Sequence, residues 1–342
     1  MKTPVHTKIF AFLLSMSTFL SLTSGCFPSP IKQTEDALLY SIVDDSGNSV
    51  SFSKIPQKVY STDYFIEIIL LGLVPERLLA TSAATRDPSL SLASKKASDP
   101  KYRLRSLTIS PEEIFNMKPD LIIVNRQTKI DETEMFRGMG IPVVQIDLPT
   151  DGNSVNHAIR LISSALRVEE RGQLMIDRMN YELQRIDENL SHIKEPYPSV
   201  FYLVLMNPYY GGKGCMLDFF CNQSKAVNSI AAMGIRNGEY VSKELLIAGG
   251  PDFIIIPSPN SNSSPQSKEE LDNYLSDPAL FHTKAYQNNH ILLIPTRYVF
   301  ATNQNYVWSI EALCHLVHGT AFDENKVHMI TGLPEDDALE KE

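Results

Sequence analysis

The 342-residue sequence contains no Gly-x-Ser-x-Gly elbow, no phosphate loop closing on Gly-Lys-Ser/Thr, and no Gly-x-Gly-x-x-Gly opening a helix after a strand. The turns on which serine hydrolases, P-loop NTPases and dinucleotide enzymes depend are therefore missing. Spacing picks out no Ser-His-Asp or Cys-His set either, so the chain reads as a non-enzyme. Positive charge is also in short supply, with 31 Lys+Arg against 40 Asp+Glu and a net charge of −9, which disfavours nonspecific nucleic-acid binding. At 43% hydrophobic and 21% charged residues the composition is that of a globular chain, not a disordered or multi-span one. Histidine is sparse. His315 and His318 have helical spacing, but no further ligands at metal-binding spacing accompany them, so no resident metal or cofactor is expected. The single tryptophan, Trp308, opens an apolar helical pattern and reads as a core anchor.

What is present begins with an export signal. Lys2 and Lys8 precede the apolar stretch Ile9–Leu22, which is too short and too rich in Ser and Thr to span a bilayer comfortably. It ends in Leu22-Thr-Ser-Gly-Cys26, similar to the lipobox of bacterial lipoproteins, although Thr23 stands where that motif usually has Leu. The reading is a signal peptide over 1–25 and a tether over 26–38 lipidated at Cys26. The chain would then be exported and anchored in a membrane, facing the periplasm or the cell exterior. Export makes Cys215, Cys221 and Cys314 candidates for oxidation. A Cys215–Cys221 bridge requires Cys215 to sit in the loop before a helix, and two buried thiols are the other reading.

The mature chain uses one phrase twice: Ser110-Pro-Glu-Glu-Ile-Phe-Asn-Met-Lys-Pro-Asp-Leu-Ile-Ile-Val124 and Ser242-Lys-Glu-Leu-Leu-Ile-Ala-Gly-Gly-Pro-Asp-Phe-Ile-Ile-Ile256. Each copy predicts a short helix, a Pro-Asp turn and a buried strand, so two lobes of like construction are expected with a cleft between them. Ser110 and Glu113 have the spacing of a capping box, with Pro111 at the first turn. Leu39–Phe52 alternates around Asp44-Asp-Ser-Gly-Asn48, a hairpin signal. Strands at Val59–Ser61, Leu79–Ser82, Leu121–Asn125 and Val143–Asp147 alternate with helices at Tyr64–Leu73 and Pro111–Met117. The second half repeats the scheme, with strands at Val200–Leu205, Phe253–Pro257 and Ile291–Ile294 and helices at Asp218–Met233, Lys243–Ile247 and Ser309–Val317. The fold class is α/β, each lobe with a mostly parallel sheet. Between the halves Ile176, Met179, Leu183, Ile186, Leu190 and Ile193 form one helical stripe. A rigid connecting helix of roughly 37 Å would bridge the lobes. The domains are an N-terminal lobe over 39–166, the connecting helix over 167–194, a C-terminal lobe over 195–320 and an acidic tail over 321–342.

The ordered set of hairpin, Pro56-Gln-Lys-Val59, Glu67-Ile-Ile-Leu-Leu-Gly-Leu73, Lys118-Pro-Asp-Leu-Ile-Ile-Val124, Gly140-Ile-Pro-Val-Val144, long helix, Gly250-Pro-Asp-Phe-Ile-Ile-Ile256 and Ser276-Asp-Pro278 resembles substrate-binding proteins of ABC importers for iron-siderophores, haem and cobalamin. The likeness covers roughly residues 39 to 319. It implies two αβ lobes on one long helix, a ligand held between them with little lobe movement, and a monomeric receptor serving an ABC permease dimer with its ATPase. Ligand contacts are then expected in loops beyond the C-terminal strand ends. On the first lobe these are Thr62, Asp63, Tyr64, Arg86, Asn125 and Arg126; on the second, Tyr209, Tyr210, Lys213, Arg297, Tyr298 and Tyr306. Arginine forks and tyrosine rings suit a bulky, partly aromatic, anionic metal chelate. A siderophore-like iron(III) chelate is the leading ligand, with cobalamin and haem as alternatives and a directly bound metal ion behind them. A haem ligand could come from Met206, Tyr209, Tyr210 or His157. The resemblance also implies one acidic permease-docking residue on each lobe. Glu67 takes the first position; on the second lobe Arg236 stands about where the acid is expected, and Glu239 is the nearest substitute.

Overall fold

The computed structural model describes residues 38–106, 111–204, 207–259, 269, 272–273, 275–278 and 280–334. The expected signal, the expected lipidation site Cys26, the expected cap Ser110, Met206 and the acidic end beyond Pro334 lie outside the described residues. Leu38–Glu342 clusters as one compact unit.

A hairpin of β1 (Tyr40–Val43) and β2 (Ser49–Phe52) opens the fold, its turn held by Asp44, whose carboxylate accepts from the Ser46 and Asn48 amides at 3.0 Å each. The first half then runs β3 (Val59–Ser61), α1 (Tyr64–Leu73), β4 (Ala80–Ser82), α2 (Ala83–Arg86), α3 (Ser94–Ala97), β5 (Arg103–Arg105), α4 (Pro111–Met117), β6 (Leu121–Asn125), α5 (Ile130–Gly138), β7 (Val143–Ile146) and α6 (Gly152–Leu166). The helix expected to connect the halves is α7 (Glu169–Asn189). The second half follows as β8 (Ser199–Tyr202), α8 (Met216–Gln223), β9 (Val227–Asn228), α9 (Ser229–Ala232), α10 (Lys243–Gly249), β10 (Phe253–Ser258), α11 (Lys284–Gln287), β11 (Ile291–Pro295) and α12 (Tyr306–His318). Apart from the hairpin, every ladder among the described residues is parallel: β3-β6-β7 and β4-β5 in the first half, β11-β10-β8-β9 in the second.

Strand alternation sorts side chains onto two faces of each sheet. In β6, Leu121 and Ile123 join a core shared by both halves, while Ile122 and Val124 pack with Phe136 in a cluster of the first half alone. In β10, Phe253 and Ile255 join the shared core, whereas Ile254 and Ile256 pack with Phe201 and Leu280. Each sheet thus turns one face to a common interior. The 21-residue α7 packs against α6 and α1 of the first half and α12 of the second, burying Met175, Ile176, Met179 and Ile186. The predicted stripe is real, but its helix ends at Asn189, before Ile193, and the halves also join through the shared core.

One expected element differs. The single helix over Asp218–Met233 is two short helices broken by Lys225 at φ +48° and by Asn228, whose side chain caps α9. An adverse left-handed residue and a strong cap outweigh the continuous apolar pattern.

The two copies of the repeat agree side chain by side chain. Ile114 and Leu246 are buried at matching positions, and Phe115 and Ile247 are 63% and 48% exposed at the next. Lys118 and Gly250 both adopt φ +50° to turn into the Pro-Asp pair. Asp120 then accepts from the amides of Gln57 at 3.0 Å and Lys58 at 2.7 Å, and Asp252 accepts from the Ser199 amide at 2.9 Å. Each aspartate therefore clasps the chain leading into the neighbouring strand. Burial raises the Asp252 carboxyl, but donation from the Ser199 amide and hydroxyl and the nearby Lys284 and His290 hold it below its ordinary 3.8. A depressed carboxyl stabilises the fold above its unfolded value, and that stability is lost as acid protonates it. Asp252→Ala is expected to cost about 1–3 kcal/mol at neutral pH; denaturant titrations should show the gap from the parent narrowing as pH falls through the carboxyl's titration.

Candidate functional site

The C-terminal ends of the parallel strands, where open αβ sheets present their crevices, carry the loops that meet between the halves. After β3, Asp63 caps α1 by accepting from the Phe65 amide at 2.9 Å, and its other oxygen accepts a short bond from Asn125 Nδ2. Asn125 Oδ1 in turn accepts from the Gln127 and Thr128 amides at 2.7 and 2.9 Å, and the Thr62 and Thr128 hydroxyls lie 3.0 Å apart. Burial pushes the Asp63 carboxyl up, against the pull of the Phe65 amide. Three expected contact residues, Thr62, Asp63 and Asn125, are thus consumed in locking two loops together. What they lock in place is Tyr64.

Tyr64 reaches across to the second half, where its hydroxyl donates to the Phe300 carbonyl at 2.8 Å. Phe300 also stacks on Tyr210, with ring centroids 5.4 Å apart at 25°. Tyr64, Tyr210 and Phe300 are all half-buried. Burial raises the Tyr64 and Tyr210 phenols, so both remain neutral hydroxyls at physiological pH. Behind them residues 301–305 are buried although four of the five are polar. Thr302 Oγ1, beside the Tyr64 hydroxyl, and Gln304 Oε1 are buried without an aligned hydrogen-bond partner. Hydroxyls and aromatic rings therefore occupy the meeting point of the halves.

The second-half rim is a loop pair. Residues 207–213 lie against 235–241 through Lys213 N to the Ile235 carbonyl at 2.8 Å and Gly238 N to the Tyr209 carbonyl at 2.8 Å. A Cβ on Gly212 would stand 2.4 Å from the Arg236 carbonyl carbon, so only glycine permits this approach. The pair presents Tyr209 edge-on to Tyr240 at 5.6 Å, 54% and 59% exposed, with Lys213 and Arg236 exposed beside them. On the first half the exposed Arg126 pairs with Asp147 at 3.0 Å. Arg297 ties the halves, donating to the Pro88 carbonyl at 3.2 Å and to Glu324 while lying 5.1 Å over the Tyr298 ring.

Other expected residues are elsewhere. Arg86 is spent on Thr81 Oγ1 at 2.8 Å and the Tyr102 carbonyl at 2.9 Å. Tyr298 is buried against Phe322. Tyr306 is core, stacked with Phe220 and so close to Gly152 that a Cβ there would lie 2.6 Å from its hydroxyl. Cys215 and Cys221 are free buried thiols, and Cys215 donates to the Gly212 carbonyl at 3.1 Å instead of bridging. Burial raises both thiols. Glu67 is the clearest correction. It is fully buried and accepts from the Ser82 amide and hydroxyl at 2.8 Å, the Thr85 hydroxyl and Arg105 Nε at 2.7 Å. A carboxylate so enclosed has no face to offer a partner. Glu239 is exposed and accepts from the Arg236 amide at 2.7 Å, closing a turn. Phe300, Thr302 and Tyr240 are not among the expected contacts: weighting by arginine and tyrosine passes over Phe300 and Thr302, and Tyr240 lies outside the loops that directly follow the predicted strands. Among the described residues no group of three or more His, Cys, Asp or Glu could hold a metal ion, and no helix is long and apolar enough to cross a membrane.

Two parallel-sheet αβ halves facing each other across an aromatic floor define a two-lobed solute-binding class. The chain belongs to the periplasmic binding protein family, whose model matches residues 59–298. Its members are extracytoplasmic receptors, not enzymes. No curated protein matches the sequence. Solved structures share the fold at low identity. The periplasmic heme-binding protein RhuT of Roseiflexus sp. RS-1 is 20% identical with TM-score 0.62, covering 77% of this chain and 98% of that one. Helicobacter pylori CeuE with Ni(II) bound is 16% identical with TM-score 0.66, covering 88% and 99%. The molybdate-binding protein MolA of Haemophilus influenzae is 16% identical with TM-score 0.63, covering 82% and 91%.

Removing Glu67 would strand Arg105, Ser82 and Thr85 in a dry site, so Glu67→Ala is expected to cost about 3–5 kcal/mol. Tyr209→Ala, at an exposed ring, should stay within about 0.5 kcal/mol of the parent. Chemical denaturation of the two variants side by side checks the contrast.

Proposed function

We propose that the protein is a lipid-anchored receptor that captures a preformed iron(III) chelate and hands it to an ABC importer. The carrying observation is the floor of Tyr64, Tyr210 and Phe300 beneath a rim of Tyr209, Tyr240, Lys213 and Arg236. Flat aromatic surfaces take up a planar or aromatic ligand, and rim cations complement its negative charge. The phenols stay neutral, with their protons on the Phe300 and Val299 carbonyls, so neither supplies a phenolate bond to a bare metal. A metal already wrapped in its own organic ligands fits best. Haem is the second reading, favoured by RhuT and by a heme-binding protein from Pseudomonas aeruginosa among the structural neighbours; cobalamin stands behind it.

The test is calorimetric titration of the purified mature chain with a ferric catecholate chelate, hemin and cobalamin. One saturable site for the ferric chelate, weakened at least tenfold by Tyr210→Ala, is the expected result. Saturation by hemin alone would move the assignment to haem, and no saturation by any of the three would overturn the receptor reading.

MolA is described as the cognate binding protein of an ABC transporter. For this chain a docking acid on each half must be exposed. With Glu67 enclosed, the repeat supplies a better-matched pair. Glu112 and Glu244 stand at the same position of the two copies, both exposed in the first turn of α4 and α10, each followed three residues on by exposed Phe115 or Ile247. A pseudo-symmetric pair of acid-plus-apolar patches suits a permease of two like subunits. Charge reversal of both, Glu112→Arg with Glu244→Arg, is expected to abolish uptake by cells while leaving chelate affinity of the purified protein within twofold; full uptake by the double variant would refute this docking pair.

A further inference from the structure

A cavity lies beside α7, lined by none of the residues of the aromatic cluster. Its volume is about 1010 Å³, and three separate stretches wall it: α3 with its flanks, the outer side of α7, and residues 328–331. That is the size of a site for an organic molecule of some dozens of atoms. Leu92, Leu174, Tyr181, Met329 and Ile330 give it apolar walls.

The third wall is firmly built. Arg178 of α7 donates to the Thr331 carbonyl at 2.7 Å and the Leu333 carbonyl at 3.2 Å. Trp308 Nε1 donates to the His328 carbonyl at 2.8 Å, and the Ile330 amide donates to Asn305 Oδ1 at 2.9 Å. A Cβ on Gly332 would fall 2.0 Å from the Arg171 carbonyl oxygen, so the stretch is seated against α7 with no slack. The cavity is therefore framed by ordered backbone on this side.

Charge gives the ligand its sense. Cations Lys95, Lys96 and Arg178, with His328, and acids Asp99, Asp177 and Glu182 all line the space. Two of the acids are paired with cations outside the cavity lining, and the third is hydrogen-bonded to a neutral amide. Asp99 pairs with Lys101 at 3.7 Å, Asp177 accepts from Gln173 at 2.8 Å, and Glu182 accepts from Arg185 at 2.8 Å. Arg178 is committed to backbone carbonyls. Lys95 is exposed and forms no ion pair among the described residues. The cavity thus combines an apolar body with an ammonium group at its α3 edge.

We infer that this cavity is a second binding site, for an amphipathic anion: an acyl chain lying along Leu174, Tyr181 and Ile330, with its carboxylate or phosphate head at Lys95. The inference is independent of the chelate reading, since it uses none of the same side chains.

The experiment is calorimetry on the purified mature protein with sodium dodecanoate and dodecyl phosphate, each below its micelle concentration, and with dodecyltrimethylammonium as the charge control. One saturable site for an anionic amphiphile is expected, weakened at least tenfold in Lys95→Glu and lost in Leu174→Asp, with circular dichroism showing both variants folded. Tyr210→Ala should leave it unchanged, which separates this site from the aromatic floor. The tighter of the two heads distinguishes a fatty acid from a lipid phosphate as the source. Absence of saturation, equal affinity in the two cavity variants, or equal binding of the trimethylammonium amphiphile would overturn the proposal.

Discussion

The spacing between the halves at Tyr64 and Phe300 depends on one buried amide. Gln304, fully enclosed, donates from Nε2 to the Ile68 carbonyl of α1 at 3.0 Å and to the Ile330 carbonyl at 3.2 Å. It thereby fastens the loop that carries Phe300 and Thr302 to the first helix of the other half. Bonds of this kind are modest in net energy but costly to leave half made in a dry interior. Around it the inward faces of both sheets pack into one core, which fixes the backbone that carries these rings. A receptor with such a frame presents a preformed surface and saves the ordering cost that a mobile site would meet on binding.

Much of this frame is legible in the sequence, for physical reasons that can be named. Leu121–Asn125 and Tyr64–Leu73 are read to the residue because a short apolar run rich in branched side chains favours a buried parallel strand, and a longer, nearly all-apolar one a buried helix. The repeat is equally readable, since a left-handed residue followed by Pro-Asp is a turn whose chemistry is local. The breaks in α8–α9 escape notice because apolar periodicity continues through them while backbone geometry does not.

The site is less legible, and Glu67 shows why. An acid in the first turn of a helix looks like a surface charge, and nothing local reveals that Arg105, Ser82 and Thr85 close over it. The same limit applies to Asp63 and Asn125, whose polar groups turn toward each other, and to Phe300, whose importance arises from a carbonyl offered to a tyrosine 236 positions earlier. Loop residues can be found by their position after a strand. Whether they face a ligand or one another is decided by tertiary pairing that spacing does not encode.

The seat of residues 328–333 carries a consequence for the order in which the molecule assembles. The amide of Gly332 donates to the carbonyl of Gly72 at 2.9 Å, so the opening helix of the first half is completed by backbone that leaves the ribosome long after it. The packing of that first helix is therefore finished by the closing stretch of the chain, and the two share one core although they lie at opposite ends of the described sequence.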